Sequence, residues 1–192
     1  MHYIIGDIKQ IEKNFLIIET EQKIGFRFNY FKSLGDKGFE TNITSNNKVF
    51  VTEIKSDFES FYFCFENENN QRLFSELNKI KTVGIKTAKL IMKSFEHDEI
   101  IQIIQDNDFE KLEDLKNIGS FTAKVIINEL QKVYFKVTYN SKQLSVIDSL
   151  QKLGYNQRRI YQAVSKIDNN LKIEEMFQKV LVRVVENEQS SI

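Results

Sequence analysis

The chain has no proline and no tryptophan, and Cys64 is the single cysteine among its 192 residues. Without proline, its turns must be formed by Gly, Asn and Asp. One cysteine cannot supply an intrachain disulfide or a multi-cysteine zinc site. Cys64 lies in the aromatic run from Phe61 to Phe65, so we expect a small core residue there rather than a reactive thiol.

Long apolar runs and an excess of one charge are also missing. No run of about eighteen apolar residues occurs, so we predict no membrane span. The N-terminus lacks the basic-then-apolar pattern of a signal peptide, and we therefore expect a cytoplasmic protein. The 27 basic residues balance 27 acidic ones, so overall charge gives no argument for nucleic-acid binding. The hydrophobic content of 41% is enough for folded cores.

What the sequence does contain is an internal repeat, a feature that identifies a duplicated structural unit. Residues 81–92, KTVGIKTAKLIM, return as residues 116–127, KNIGSFTAKVII. Each copy predicts a helix end, a tight apolar-Gly turn, and a new helix that opens at Thr-Ala-Lys. This pattern is typical of a helix-hairpin-helix motif, which presents backbone N–H groups at a helix N-terminus to a phosphate. We call the two segments the first repeat and the second repeat.

The repeats supply the candidate DNA-binding residues. Residues 81–93 carry four lysines and no acid, whereas residues 96–114 carry eight acids and one lysine. The alternatives are that the glycines cap helix C-termini and that the lysines lie on solvated helix faces. Duplication of the pattern favours phosphate binding, while Ala88 and Ala123 are expected to permit close helix packing. The candidates are Val83, Gly84, Lys86, Thr87 and Lys89 in the first repeat, and Ile118, Gly119, Ser120, Thr122 and Lys124 in the second.

Periodicity divides the rest of the chain. Residues 1–65 hold about five short strand-like runs, which predict a small barrel of the OB type. Residues 66–137 have helical spacing around the two repeats. After a short polar break, residues 142–192 predict three helices. The fold class is therefore multidomain α+β: an OB-fold β-barrel, a tandem helix-hairpin-helix domain and a C-terminal three-helix, UBA-like module.

Single residues refine the helical predictions. Leu144, Ile147, Leu150 and Leu153 are expected to face inward from the first C-terminal helix, with Gly154 as its C′ residue. Asp108 and Asn156 are candidate N-caps of the helices that follow them.

The ordered set of motifs resembles the RuvA family of Holliday-junction-binding subunits. Ile5 to Lys9 looks like the opening strand of that family, and Val83 to Lys86 is similar to the turn of its first hairpin. Ile118-Gly119 with Thr122-Ala123 looks like the second hairpin, and Leu153 to Tyr155 resembles the C-terminal module. The resemblance covers nearly the whole chain.

The resemblance implies a homotetramer, or an octamer, that holds the four arms of a DNA junction in an open square for branch migration. The C-terminal module, through Leu153, Gly154 and Tyr155, would recruit a RuvB-type hexameric ATPase, and a RuvC-type junction resolvase is a further implied partner. No Walker lysine motif occurs, so the chain itself would be a non-catalytic subunit without an ATPase site and without a cofactor.

Departures from the family pattern fall within both repeats. Thr82 and Asn117 stand at family glycine positions. Asn tolerates left-handed backbone, but β-branched Thr does not, so we expect a reshaped first turn. Ser120 and Phe121 replace a pair of lysines in the second hairpin. We therefore expect weaker and less salt-sensitive phosphate binding there.

The acidic pin of the family, two adjacent carboxylates, matches the loop that contains Asp57 and Glu59. Asp57 fits the first carboxylate, Phe58 occupies the second position, and Glu59 follows. The pair could be a solvated loop, a device that repels DNA phosphates at the junction centre, or a metal-dependent nuclease pair. The alternatives to junction binding are thus a duplex-binding repair scaffold without junction preference and a nuclease. The linker before the last module is short, which limits its reach.

Overall fold

A computed structural model describes residues 2–39, 46–56 and 58–189. Its N-terminal part is built from five strands, which agree with the runs predicted from the sequence. The strands are β1 (Tyr3–Glu12), β2 (Phe15–Glu19), β3 (Gly25–Tyr30), β4 (Asn47–Lys55) and β5 (Ser60–Phe65).

The strands close into a barrel in the order β1-β2-β3-β5-β4, which confirms the predicted OB-like barrel. Only the β3–β5 pair is parallel among the described pairings. Alternation along each strand sends one set of side chains inward: Leu16 and Ile18 of β2 are fully buried. Gly6 is required in β1, because a Cβ at this position would lie 2.3 Å from the carbonyl oxygen of Glu19.

Eight helices are described after the barrel. They are α1 (Glu68–Lys79), α2 (Ile85–Ser94), α3 (His97–Asp106), α4 (Phe109–Glu113), α5 (Ser120–Tyr134), α6 (Ser141–Lys152), α7 (Gln157–Val164) and α8 (Ile173–Gln189). The helices of the two repeats, α2 and α5, begin two residues earlier than predicted, at Ile85 and Ser120 rather than at Thr87 and Thr122. None of the described helices is both long and apolar enough to cross a membrane.

The chain divides into two compact units: residues 1–101 with 115–118, and residues 102–114 with 119–192. In the first unit, an aromatic cluster fastens α1 to the barrel. Phe74 of α1 has its ring centroid 4.8 Å from that of Phe63 and 5.2 Å from that of Phe65. Gln71 donates a 2.6 Å hydrogen bond to the carbonyl of Val51 in β4. The position of α1 is therefore set by both packing and hydrogen bonding.

In the second unit, α7 packs against α4. The ring of Tyr161 lies 5.1 Å from that of Phe109 and 5.3 Å from that of Tyr139. Arg158 lies 3.3 Å from the carboxylate of Asp108 and 3.6 Å from that of Asp106. These contacts hold the C-terminal helices against the segment that precedes the second repeat.

Two predictions about single helices are confirmed only in part. Asp108 occupies the predicted N-cap position of α4 but makes no side-chain capping hydrogen bond; its carboxylate lies 3.3 Å from Arg158 instead. Of the four residues predicted to face inward from α6, Ile147 and Leu150 are buried, but Leu144 and Leu153 are 49% and 65% exposed. The buried residues of α6 are Gln143, Val146, Ile147 and Leu150.

The burial of Gln143 explains the rotated face of α6. Its side chain and that of Asn140 form a capping box, and its Nε2 donates to Asn169 Oδ1 at 2.6 Å. Because these hydrogen bonds satisfy its side-chain amide, Gln143 can be buried in the core. The prediction for Cys64 is confirmed: it is fully buried in the barrel, and this burial raises the pKa of its thiol.

Candidate nucleic-acid interface

The turn of the first repeat joins α1 to α2. Ile80 is the C-cap of α1, and its carbonyl accepts a 2.8 Å hydrogen bond from the N–H of Val83. The Val83 side chain is buried and anchors the turn, and Gly84 follows as the N-cap of α2 with φ −95° and ψ 174°. Thr82 does not adopt left-handed backbone. The turn therefore accommodates this β-branched residue.

The second repeat also has a buried turn residue followed by a glycine N-cap, but the backbone conformation of its turn is different. The N–H of Ile118 donates to the carbonyl of Leu115 at 3.0 Å, and the Ile118 side chain is buried. Gly119 is the N-cap of α5, with φ −86° and ψ 169°. Asn117, at the position that matches Thr82, has φ 68°. Asn117 is thus the left-handed residue that the sequence predicts, and the two turns differ at this point.

Neither repeat glycine is required by the fold around it. Both are N-caps with extended backbone that any residue can adopt, so the alternative that they cap helix C-termini is wrong. A Cβ built at Gly84 or Gly119 meets no atom within 4 Å. The open space beside these glycines is therefore available to a group from outside the chain.

No side chain caps either repeat helix, although the chain caps other helices with asparagine. The side chains of Asn67, Asn140 and Asn156 each accept a hydrogen bond from the first turn of α1, α6 and α7. At Gly84 and Gly119 no such bond is made. The first N–H groups of α2 and α5 have no acceptor within their helices, and the helix dipole places partial positive charge there.

The lysines of the repeats differ in their surroundings. Lys86 is exposed, and Lys124 is half-buried. The ammonium of Lys89 lies 4.7 Å from the ring centroid of Phe63 and 5.5 Å from that of Phe31. Burial, followed by repulsion from Lys93, lowers the pKa of Lys89. Lys89 thus has an intrachain cation–π contact that the sequence pattern did not reveal.

The remaining repeat residues lie near the two helix starts. Thr87 and Thr122 are half-buried, Ser120 is exposed, and Ala88 and Ala123 are fully buried as expected for close packing. Phe121 is 70% exposed. The comparison of this sequence with the family pattern marks Phe121 only as the replacement of a lysine. Its alignment with Lys86 in the other repeat was the signal that could have marked it as a surface contact.

The loop between β4 and β5 carries the candidate pin. Asp57 lies outside the described residues. Glu59 is exposed, and its backbone N–H donates to Ser56 Oγ at 3.1 Å, while its carbonyl accepts from the N–H and the hydroxyl of Ser56, each at 2.9 Å. Phe58 is 97% exposed. Within the described part of the chain, no group of three or more His, Cys, Asp or Glu residues is arranged to hold a metal ion.

The candidate motor-docking residues follow the end of α6. Leu153 is the C-cap, and Gly154 has φ 88°. The N–H of Tyr155 donates to the carbonyl of Leu150 at 3.2 Å, and that of Gly154 donates to the carbonyl of Gln151 at 3.0 Å. This pair of bonds is a Schellman motif. The predicted C′ role of Gly154 is confirmed, and the motif leaves Leu153 projecting into solvent.

No family model matches the chain, but several known proteins are similar to it over most of its length. The chain is 37% identical over 182 residues to the Holliday junction branch migration complex subunit RuvA of Mycoplasma capricolum, covering 95% of this chain and 96% of the relative. The RuvA of Mycoplasma mycoides is 37% identical over 180 residues, with 93% and 94% covered. That of Fusobacterium nucleatum is 26% identical over 176 residues, with 88% of each covered. Identity of this extent along almost the full length shows that the chain belongs to the RuvA family.

Proposed function

We propose that the protein binds four-way DNA junctions without sequence specificity and holds them open for branch migration by a RuvB-type ATPase, in homologous recombination and DNA repair. The relatives named as subunits of a Holliday junction branch migration complex support this function. The observation that carries it is the pair of exposed, uncapped glycine N-caps, Gly84 and Gly119, with open space beside each.

The proposed contacts are with the phosphate backbone. Each repeat acts as a helix-hairpin-helix motif, in which the first amides of α2 or α5 donate to a phosphate that approaches the glycine. The exposed ammonium of Lys86 adds a charge contact in the first repeat. Lys124 has less freedom to do so, because it is half-buried. Recognition through backbone amides and lysines fixes position on DNA and reads no base sequence.

The proposal assigns three segments to three roles. Residues 1–65 form the OB-fold barrel, residues 66–137 the DNA-binding domain, and residues 142–192 a UBA-like module that recruits the ATPase. The intact assembly is a cytoplasmic homotetramer. In the barrel, the exposed carboxylate of Glu59 supplies negative charge that repels strand phosphates at the junction centre, together with Asp57.

Leu153 is the residue that we assign to the contact with the ATPase. It is apolar and 65% exposed. Deleting the C-terminal helices is a poor test, because it would strip the Tyr161 ring and the Arg158 guanidinium from α4. Leu153→Glu is better, since it alters an exposed position. It should leave junction binding intact and abolish stimulation of the ATPase. Val182→Glu, at a position 55% exposed on α8, is the matched control and should retain stimulation.

The test of the proposed function is the shape of the bound junction. A four-way junction carries donor and acceptor dyes on pairs of arm ends, and energy transfer is measured with and without protein in magnesium buffer. Free junctions stack their arms in pairs, so the adjacent arm pairs give unequal transfer. Binding should make all adjacent pairs equal, as an open square requires. Unequal transfer in the saturated complex would contradict the proposal.

A further inference from the structure

Phe121 lies on the first turn of α5 and is 70% exposed. The helix buries a different face, which consists of Ala123, Ile126, Ile127, Leu130 and Gln131. A phenyl ring contributes nothing to that core, and leaving it in water forgoes the stabilisation that burial of a large apolar side chain provides. Phe121 is therefore the one apolar side chain of this turn that faces away from the core.

The internal repeat identifies the position that Phe121 occupies. Gly84 aligns with Gly119 and Thr87 with Thr122, so Phe121 aligns with Lys86. Both residues stand at the second position of their helix, two residues after the N-cap glycine, and both are exposed. The chain thus presents a cation beside one uncapped helix start and an aromatic ring beside the other.

We infer that Phe121 packs against the deoxyribose of a DNA arm, next to the phosphate that the Gly119 turn binds. The inference rests on the proposed function of the second repeat and names the group that this repeat recognises. Apolar side chains of some DNA-binding proteins make direct contacts with DNA of this kind. The second repeat then holds DNA by an apolar contact where the first repeat uses the Lys86 charge.

The two contacts respond differently to salt. A lysine that neutralises a phosphate releases counterions, so each such contact steepens the dependence of log K on log salt by about 0.9. An apolar ring releases none. Removal of Phe121 should therefore weaken binding equally at every salt concentration, whereas removal of Lys86 should weaken binding most at low salt.

The experiment measures the affinity of the full chain for linear duplex and for a four-way junction across a series of salt concentrations. Phe121→Ala should weaken binding about tenfold, the scale of losing one aromatic contact with DNA, with the salt slope unchanged. Phe121→Lys should steepen the slope by about 0.9. Lys86→Ala should make it shallower by about the same amount. Leu144→Ala, a change at an apolar position 49% exposed on α6, is the matched control and should change neither quantity.

The outcomes separate this inference from the proposed function. Affinity for duplex that is unchanged in Phe121→Ala overturns the inference, whether or not the protein prefers junctions. Lack of junction preference in the unsubstituted protein overturns the proposed function and leaves the duplex result to decide on Phe121. An exposed ring can also form part of an interface between subunits, and sedimentation of Phe121→Ala tests this alternative. An assembly smaller than that of the unsubstituted protein would assign Phe121 to such an interface and overturn the DNA contact. Phe121→Leu, which keeps apolar bulk, should recover part of the lost affinity.

Discussion

Replacing the repeat glycines with serine should separate stability from DNA binding. The backbone at Gly84, φ −95° and ψ 174°, is suitable for a serine N-cap. An added Cβ meets nothing within 4 Å, so the substitution creates no clash inside the chain. A serine hydroxyl would also accept a hydrogen bond from the first turn of α2, which lacks a side-chain cap at present. The same reasoning applies to Gly119.

The substitution should change stability and DNA affinity in opposite directions. Replacing glycine at a compatible backbone position stabilises a protein by about 0.4–1 kcal/mol through the unfolded state, and serine is a better N-cap than glycine by a few tenths of a kcal/mol. We expect Gly84→Ser to raise the free energy of unfolding by about 1 kcal/mol. Its hydroxyl competes for the amide that a phosphate would use. Loss of one hydrogen bond to a charged group, about 1.5–3 kcal/mol, weakens DNA binding by about tenfold to a hundredfold.

The assays are thermal unfolding and fluorescence anisotropy with labelled duplex. Gly25→Ser is the matched control, because Gly25 also has open space and no left-handed backbone but lies in β3 rather than at a helix start. It should leave DNA affinity unchanged. Wild-type affinity in both Gly84→Ser and Gly119→Ser would refute the phosphate sites. A marked loss of stability would refute the claim that the fold does not need these glycines.

Three further predictions concern stability and reactivity. Gly154→Ala should lower the free energy of unfolding by about 1 kcal/mol in denaturant titration, because φ is 88° at this position; an unchanged midpoint would contradict the assigned backbone. Burial raises the pKa of Asp36 above the ordinary value of 3.8, against the opposing hydrogen bonds from Asn70 and Asn67. A raised carboxyl pKa means that the folded state binds more protons, so stability is lost as pH rises above about 3.8 and through the raised value. Relative to the Asp36→Asn variant, the wild type should therefore lose stability as the pH increases over that window. A difference in the free energy of unfolding between the two proteins that stays constant over the window would be evidence against burial as the cause. The Cys64 thiol should resist a disulfide reagent in the native protein and react fully once denaturant unfolds the barrel; rapid native-state labelling would contradict its burial.

The barrel was predictable because the alternation of apolar and polar residues along its strands is a local pattern. Alternation places Phe28 of β3 in the core and exposes Arg27 beside it, and both are visible in the sequence. Helix starts were less predictable. Gly84 and Gly119 carry no side chain that marks a cap, so the sequence pattern assigns the first residues of α2 and α5 to the turns.

The remaining features depend on partners that are far apart in sequence. Lys89 lies over Phe63 of β5 and over Phe31, which follows β3, so its partial burial could not be predicted from its own helix. The buried face of α6 depends on the hydrogen bond between Gln143 and Asn169. No periodicity in the residues of α6 encodes that contact.

The central claim is preference for a junction, and competition binding tests it most directly. The labelled probe is a four-way junction, and the competitors are unlabelled junction and linear duplex of the same arm sequence, compared at equal numbers of base pairs and at near-physiological salt. The account predicts that unlabelled junction displaces the probe at far lower concentration than duplex does. Equal displacement by the two competitors would contradict it, and would identify the protein as a duplex-binding scaffold without junction preference.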